Sequence, residues 1–149
     1  MEMVLFIGIQ ATGKSSFYGE RFFRTHVRIN LDMLKTRHRE DLLFKACLEG
    51  KTRFVVENTN VTREERARYI VPARSAGFRI VGYFFESRVT DALERNRARP
   101  ESDRVPDVGI FSASKRLQLP SRTEGFDELF FVRLTESNSF AVEEWKDEV

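Results

Sequence analysis

A lysine and a serine follow a glycine-rich turn near the start of the chain. In the stretch GIQATGKSS, the residues Gly8, Gly13, Lys14 and Ser15 have the spacing G-x-x-x-x-G-K-[ST], which is the pattern of a phosphate-binding loop, or P-loop. Backbone N–H groups of such a loop wrap the phosphates of a nucleotide, the lysine neutralises their charge, and the serine hydroxyl binds Mg²⁺. The alternative is a glycine turn followed by a solvated lysine.

The residues on both sides of the turn favour the P-loop. MVLFI before it is an apolar run typical of a buried parallel strand, and the residues after it suit a helix. This order places the phosphates at a helix N-terminus, where free N–H groups and the helix dipole both favour anions. The predicted nucleotide-binding residues are Gly8, Ala11, Thr12, Gly13, Lys14, Ser15 and Ser16.

Charged residues also follow the next two predicted strands. Asp32 comes after VRIN and, if a helix begins there, shares one face with Lys35. Asp32 could accept the proton of an attacking hydroxyl group, or it could simply be the N-cap of the helix, and its position favours neither interpretation. Glu57 ends RFVVE, where P-loop NTPases place an acidic residue that holds the water shell of Mg²⁺.

An arginine-rich segment follows the fourth predicted strand. Arg95 and Arg99 are four residues apart on a predicted helix that ends before Pro100, and Arg97 and Arg104 are nearby. Arginines at this place could close over a triphosphate and donate bidentate hydrogen bonds to the transferred group. A solvated helix end is the alternative. We expect a lid over about residues 95–120.

The order of elements predicts the fold. Strand candidates recur as VLFIG, VRIN, RFVVEN, RIVGYFFE and LFFVRL, separated by segments long enough for crossover helices. This alternation is typical of an α/β fold, a parallel sheet of about five strands sandwiched by helices, with the ligand at the carboxyl ends of the strands. We expect a single P-loop NTPase domain over residues 1–149.

Composition restricts the function classes. The formal net charge is +2, but the arginines concentrate between Arg63 and Arg122 and could form a basic surface for a polyanion. The single Cys47 rules out a disulfide within the chain. The apolar start is too short to span a membrane and continues into the glycine turn, so we expect a soluble, cytoplasmic protein with no membrane contact.

Taken together, the motifs resemble the 5′-hydroxyl polynucleotide kinases of the P-loop kinase superfamily, especially the phage-type kinase domain. The resemblance runs from Met3 to about Pro120 and rests on IN-x-D at residues 29–32, NTN at 58–60, ERNRAR at 94–99, VPDV at 105–108 and LQLP at 117–120. It implies Asp32 as the general base, Arg95 as a nucleotide contact and Arg99 as a catalytic arginine. We assign acceptor binding to Lys35 and Asn60.

Two positions depart from the family. Lys35 stands where the family usually has an arginine that contacts the phosphate next to the reacting nucleotide. Lysine keeps the charge but loses the bidentate fork. Glu57 stands where aspartate is more common and adds one methylene to the reach toward Mg²⁺.

The sequence therefore predicts an enzyme that moves the γ-phosphoryl group of ATP, with Mg²⁺, to the 5′-hydroxyl end of DNA or RNA. Its catalytic residues would be Lys14, Asp32 and Arg99, and its path for the nucleic acid would include Lys35 and the arginines Arg63, Arg66 and Arg68. The alternatives are a kinase for a sugar, nucleoside or antibiotic hydroxyl, and a nucleotide-dependent switch or binding module. Phosphatase or ligase activity would come from partner end-healing enzymes.

The acidic tail after Leu134 is the last segment with a prediction of its own. We expect it to pack as a short helix through Phe140, Val142 and Trp145, with docking on a partner as the alternative.

Overall fold

A six-stranded sheet runs through the protein, which a computed structural model describes over residues 1–146. Its strands are β1 (Glu2–Ile7), β2 (Val27–Ile29), β3 (Phe54–Glu57), β4 (Arg79–Phe85), β5 (Glu128–Leu134) and β6 (Phe140–Glu144). Their order across the sheet is β2-β3-β1-β4-β5-β6. The first five strands run parallel, which confirms the predicted α/β fold, and β6 runs antiparallel to β5.

The helices connect the parallel strands. They are α1 (Lys14–Arg21), α2 (Leu31–Leu34), α3 (Arg37–Glu49), α4 (Arg63–Ser75), α5 (Val89–Ala98) and α6 (Asp107–Arg116). Two of them begin at threonine caps, because the side chain of Thr36 accepts from the Arg39 amide and that of Thr62 from the Glu65 amide. None of the helices within residues 1–146 has the length and apolar content that a membrane span requires.

The central strand β1 is buried on both faces. Met3, Leu5 and Ile7 pack into the hydrophobic cluster on one face, and Val4 and Phe6 pack into the cluster on the other. Alternate side chains of a strand point to opposite faces, so a continuous apolar run is what a strand between two helical layers requires. The burial of β1 fixes the position at which the glycine-rich turn leaves the sheet.

The C-terminal tail forms a strand, so the predicted helix is wrong. β6 pairs with β5 in a register that places Phe140 opposite Leu134 and Val142 opposite Val132. A tight turn returns the chain, with Asn138 in the left-handed region at φ 60° and the Thr135 amide donating to the Ser139 carbonyl. The open edge of β5 offers backbone hydrogen bonds that a helix could not use. Residues 147–149 of that tail lie outside the described residues.

Arg66 is part of the interior, which corrects its predicted place on a basic surface. Its side chain is 0% exposed. Its Nε and Nη2 donate to the carboxylate of Glu124 at 2.8 and 3.1 Å, and its Nη1 donates to the carbonyls of Asn60 and Val61 at 3.0 and 3.1 Å. Arg66 therefore joins α4 to the loop after β3 and to the turn around Glu124.

We expect Arg66→Met to lower the free energy of unfolding by about 3–5 kcal/mol, because Glu124 would keep a largely buried charge without its partner. Urea unfolding checks this value. Arg63→Met is the matched control, since Arg63 lies exposed on the same helix, and it should change the free energy by less than about 0.5 kcal/mol. Equal losses in the two variants would contradict this account of Arg66.

Candidate functional site

The glycine-rich turn between β1 and α1 has the conformation of a loop around a central lysine. The Nζ of Lys14 donates to the carbonyls of Gly8 and Ile9 at 2.8 and 2.7 Å. Ala11 and Gly13 have φ values of 61° and 97°, and the Thr12 hydroxyl donates to the Ile9 carbonyl at 2.9 Å. The chain is thus folded tightly around the Lys14 amine.

The first amides of the turn are engaged elsewhere in the protein. The Gly8 amide donates to the Thr59 carbonyl at 2.9 Å, and the Ile9 amide donates to Ser87 Oγ at 3.1 Å. These bonds anchor the turn to the segments after β3 and β4. The Gly8 amide, which was predicted to bind a phosphate, therefore already has a partner in the protein. Phosphate binding by backbone amides is left to the later residues of the turn.

Gly13 is constrained both by its backbone conformation and by the hairpin formed by β5 and β6. A Cβ atom there would lie 2.9 Å from Cε1 of Phe140, and the positive φ of Gly13 is itself unfavourable for other residues. The Phe140 ring also packs on Phe17 of α1, with centroids 5.0 Å apart. β6, which the sequence did not predict, thus supports the turn from behind.

A cavity of about 1240 Å³ lies at the carboxyl ends of the parallel strands, beside the turn. It brings together most of the predicted site residues, namely Ala11, Lys14, Ser15, Ser16, Asp32, Lys35, Glu57, Asn60 and Arg99. Gly8, Thr12, Gly13 and Arg95 are not among its lining residues. Its walls also contain Arg68 of the predicted nucleic-acid path and Arg104 of the arginine-rich segment. Three further arginines in the walls had no predicted role, namely Arg28, Arg37 and Arg116.

Burial lowers the pKa of Lys14 to about 8. The charge of Arg99 lowers this pKa further, whereas the carboxylates of Glu57 and Asp32 oppose the shift. These three predicted residues therefore lie close enough to Lys14 to act on its amine. An anion at the same place would stabilise the protonated amine and raise its pKa.

Ser15 and Glu57 form the oxygen pair that could hold Mg²⁺. Ser15 Oγ donates to Glu57 Oε2 at 3.2 Å. Mg²⁺ prefers oxygen ligands and keeps several waters, and a hydroxyl group beside a carboxylate suits it when nucleotide phosphates supply further ligands. Within residues 1–146, no group of three or more His, Cys, Asp or Glu side chains could hold a metal by itself.

The Glu57 carboxylate also accepts hydrogen bonds from a residue of β2 and from the residue that follows this strand. Arg28 Nε donates to Glu57 Oε1 at 2.9 Å, and Arg28 Nη2 donates to Ser15 Oγ at 3.3 Å. Asn30 Nδ2 donates to Glu57 Oε2 at 2.8 Å. The sequence has no local signal for this role of Arg28, which lies 29 residues from Glu57 in the chain.

Asp32 and Lys35 both line the cavity, but not on one helical face as predicted. Asn30 is the N-cap of α2, since its Oδ1 accepts from the Met33 amide at 2.9 Å. The alternative interpretation of Asp32 as the cap is therefore wrong, and its exposed carboxylate faces the cavity. Lys35 follows the helix with a φ of 76°, so helical spacing no longer relates the two residues.

The lid arginines occupy two different places. α5 ends at Ala98 and Arg99 is extended, so the predicted spacing of Arg95 and Arg99 on one helix is wrong. Arg95 Nη1 donates to the Ala11 carbonyl in the turn at 3.3 Å. Arg99 lines the cavity, and its carbonyl accepts from Arg104 Nε at 2.8 Å.

The remaining predicted acceptor residue, Asn60, lies in the loop between β3 and α4. It is buried, and its Nδ2 donates to the Phe6 carbonyl at 2.8 Å. This bond joins the loop to β1 beside the cavity. Acceptor binding by Asn60 stays a prediction.

The sequence matches a protein family described as an AAA domain over residues 35–119. The match includes β3, β4 and the lid through α6, and it covers more than half of the chain. Among curated proteins, the bifunctional polynucleotide phosphatase/kinase of Schizosaccharomyces pombe is 28% identical over 132 residues. These residues are 84% of this chain but 32% of the relative, so the chain spans about a third of that protein's length.

Solved structures share the fold at low sequence identity. A gluconokinase from Sinorhizobium meliloti is 16% identical with a TM-score of 0.63, and the alignment covers 91% of this chain and 83% of that one. Kti12 from Chaetomium thermophilum, solved in complex with ADP-AlF3, is 15% identical with a TM-score of 0.65, covering 91% and 92% of the two chains.

We expect the binding of ADP at pH 8 to take up about half a proton, because Lys14 with a pKa of about 8 is half protonated when free and the phosphates favour its charged form. At pH 6.5 the lysine is already charged, and its own contribution to the uptake should vanish. Calorimetric titration in two buffers of different ionisation enthalpy measures the uptake.

Lys14→Arg is the control for this titration, since arginine stays charged throughout. It should bind ADP with no uptake of a proton by residue 14 at pH 8. The same uptake in both proteins would exclude Lys14 as the titrating group.

Proposed function

The chain belongs to the AAA domain family, and we propose that it is an ATP-dependent kinase that phosphorylates the 5′-hydroxyl end of a DNA or RNA strand. Its mostly parallel sheet and flanking helices form the α/β fold of P-loop kinases. The kinase activity and its acceptor are the proposed part.

The observation that carries the proposal is the position of Asp32. Its exposed carboxylate lines the same cavity as Lys14, Ser15 and Arg99, and its charge acts on the Lys14 amine. A switch that only binds a nucleotide needs no carboxylate across from the phosphates. A kinase needs one, because the attacking hydroxyl must lose its proton.

Each residue then has one task in the reaction. Lys14 and the later amides of the turn bind the phosphates of ATP. Ser15 and Glu57 would hold Mg²⁺, and the ion would supply positive charge to neutralise the phosphates. Asp32 takes the proton of the 5′-hydroxyl group while the oxygen of that hydroxyl bonds to the γ-phosphorus. The bond from that phosphorus to the bridging oxygen breaks, and ADP leaves. Arg99 stabilises the charge on the transferred group.

The choice of a polynucleotide acceptor has two supports. The name of the S. pombe relative includes a polynucleotide kinase activity. The cavity walls beyond the turn are strongly basic, with Lys35, Arg37 and Arg68 on the side of α2 to α4. Lysines and arginines there could neutralise the phosphates of a strand, and their contribution should weaken as salt increases.

We expect Asp32→Asn to lower kcat by about 10²–10⁴-fold and to leave the affinity for ATP nearly unchanged, because the amide cannot take the proton. The assay follows labelled γ-phosphate from ATP with Mg²⁺ to a 5′-hydroxyl oligonucleotide, beside a 5′-phosphorylated one. Asp103→Asn is the matched control, since Asp103 lines the same cavity from the lid and its loss changes the cavity charge equally.

Three results would contradict parts of the proposal. Unchanged kcat in Asp32→Asn would exclude Asp32 as the base. Transfer to a sugar, nucleoside or antibiotic hydroxyl but not to oligonucleotides would establish a small-molecule kinase. Binding of ATP without transfer to any acceptor would favour a nucleotide-dependent switch.

A further inference from the structure

A polar cluster lies in the wall of the cavity between α3 and α4. It consists of Arg37, Glu40, Asn58 and Tyr69, and we refer to it as the Glu40 cluster. Arg37 Nη1 donates to Glu40 Oε1 at 3.0 Å and to the Tyr69 hydroxyl oxygen at 3.1 Å. The Tyr69 hydroxyl donates to Glu40 Oε1, and Asn58 Nδ2 donates to Glu40 Oε2 at 2.9 Å.

The two charged members of the Glu40 cluster differ in exposure. The side chain of Glu40 is 4% exposed, whereas that of Arg37 is 55% exposed. Burial and the neighbouring Glu40 raise the pKa of Tyr69 to about 12, so its hydroxyl stays protonated and donates to the carboxylate at neutral pH. The buried end of the cluster thus holds one nitrogen of Arg37, while the rest of the guanidinium reaches the cavity.

The Glu40 cluster is also connected to the segment that carries Asp32. Asn58 Oδ1 accepts from the amide of Leu31 at 2.9 Å, and Leu31 directly precedes Asp32. The same Asn58 side chain donates to Glu40. One side chain therefore links the backbone beside the proposed base to the carboxylate that holds Arg37.

Arg37 and Lys35 differ in how well they are held in place. Within residues 1–146, the described contacts of Arg37 use Nη1 alone, which leaves Nε and Nη2 for a ligand. Lys35 is an exposed residue after α2, with a compact charge on a flexible stem. A group that is already held loses less conformational freedom when it binds.

We propose that Arg37, rather than Lys35, binds the acceptor phosphate adjacent to the reacting 5′-hydroxyl group, and that Glu40 is the positioning residue that orients it. This inference rests on the proposed function. Nε and Nη2 of Arg37 form a planar pair of donors that matches two phosphate oxygens. The acceptor class is then a nucleotide with a free 5′-hydroxyl and a phosphate on its 3′ side.

The experiment compares two acceptors that differ only in this phosphate, a nucleoside 3′-monophosphate and the nucleoside itself. The variants are Arg37→Lys, Arg37→Gln and Lys35→Gln. Arg37→Lys retains a cation for the buried Glu40, so it keeps the fold while it removes the fork. Urea unfolding of each variant measures any effect on stability.

We expect both Arg37 variants to lower kcat/KM for the 3′-monophosphate by about 10–100-fold, mainly through KM, since hydrogen bonds to a charged group are lost. Their kcat/KM for the nucleoside should stay that of the native protein. Lys35→Gln should have the smaller effect on the 3′-monophosphate. Glu40→Gln should also raise KM for the 3′-monophosphate and not for the nucleoside.

Equilibrium binding of the 3′-monophosphate in the presence of ADP separates this inference from the proposed kinase activity. Tighter binding than that of the nucleoside, lost in the Arg37 variants, supports the phosphate site even if no transfer occurs. Transfer by the native protein with no change in the Arg37 variants overturns the role of Arg37 and leaves the kinase standing. If the native protein shows neither transfer nor binding, both the role of Arg37 and the proposed kinase activity are overturned.

Discussion

The buried carboxylate of Glu57 is the interaction on which the site depends. At 3% exposure, this charge must be compensated inside the protein. Its partners come from three elements, with Ser15 at the start of α1, Arg28 in β2, and Asn30 at the start of α2. A single buried charge at the end of β3 thus holds the neighbouring strand β2 and the start of α1, after the glycine-rich turn, in place around it.

The different environments of Glu57 and Asp32 agree with the different tasks proposed for these two carboxylates. Glu57 is buried and shared among several donors, so its position is fixed and its oxygens are already occupied by protein groups. Asp32 lies exposed on the wall of the cavity and is available to a substrate. A fixed carboxylate is suited to orient a metal's water, and an accessible one to take a proton.

The sequence predicted the features that are encoded locally. The turn around Lys14 and the five parallel strands follow from spacing and from apolar runs over a few neighbouring residues. The positions of Asp32, Lys14 and Arg99 in one cavity follow from the rule that parallel strands end at the same edge of the sheet.

Features that depend on distant parts of the chain could not be predicted in this way. The pattern of α4 does not distinguish Arg66 from an exposed helical arginine, and its burial depends on the pairing with Glu124. Arg37 is held in place because Glu40 is buried and bonded to Tyr69 of α4. The tail became a strand because β5 left an open edge, which a helical pattern in the tail cannot reveal. In each case the deciding partner lies in a different element, and the local sequence does not specify that partner.

The lowered pKa of Lys14 also gives the turn a distinctive reactivity. Its pKa is about 8, whereas that of an ordinary lysine is about 10.4. At mildly alkaline pH the neutral fraction of the Lys14 amine is therefore far larger than that of an ordinary lysine. The neutral amine is the nucleophile, so a small acylating reagent that enters the cavity should modify Lys14 ahead of surface lysines. Phosphates bound in the turn would stabilise the protonated form of this amine and cover it. The extent of modification would therefore report how much of the protein carries a nucleotide.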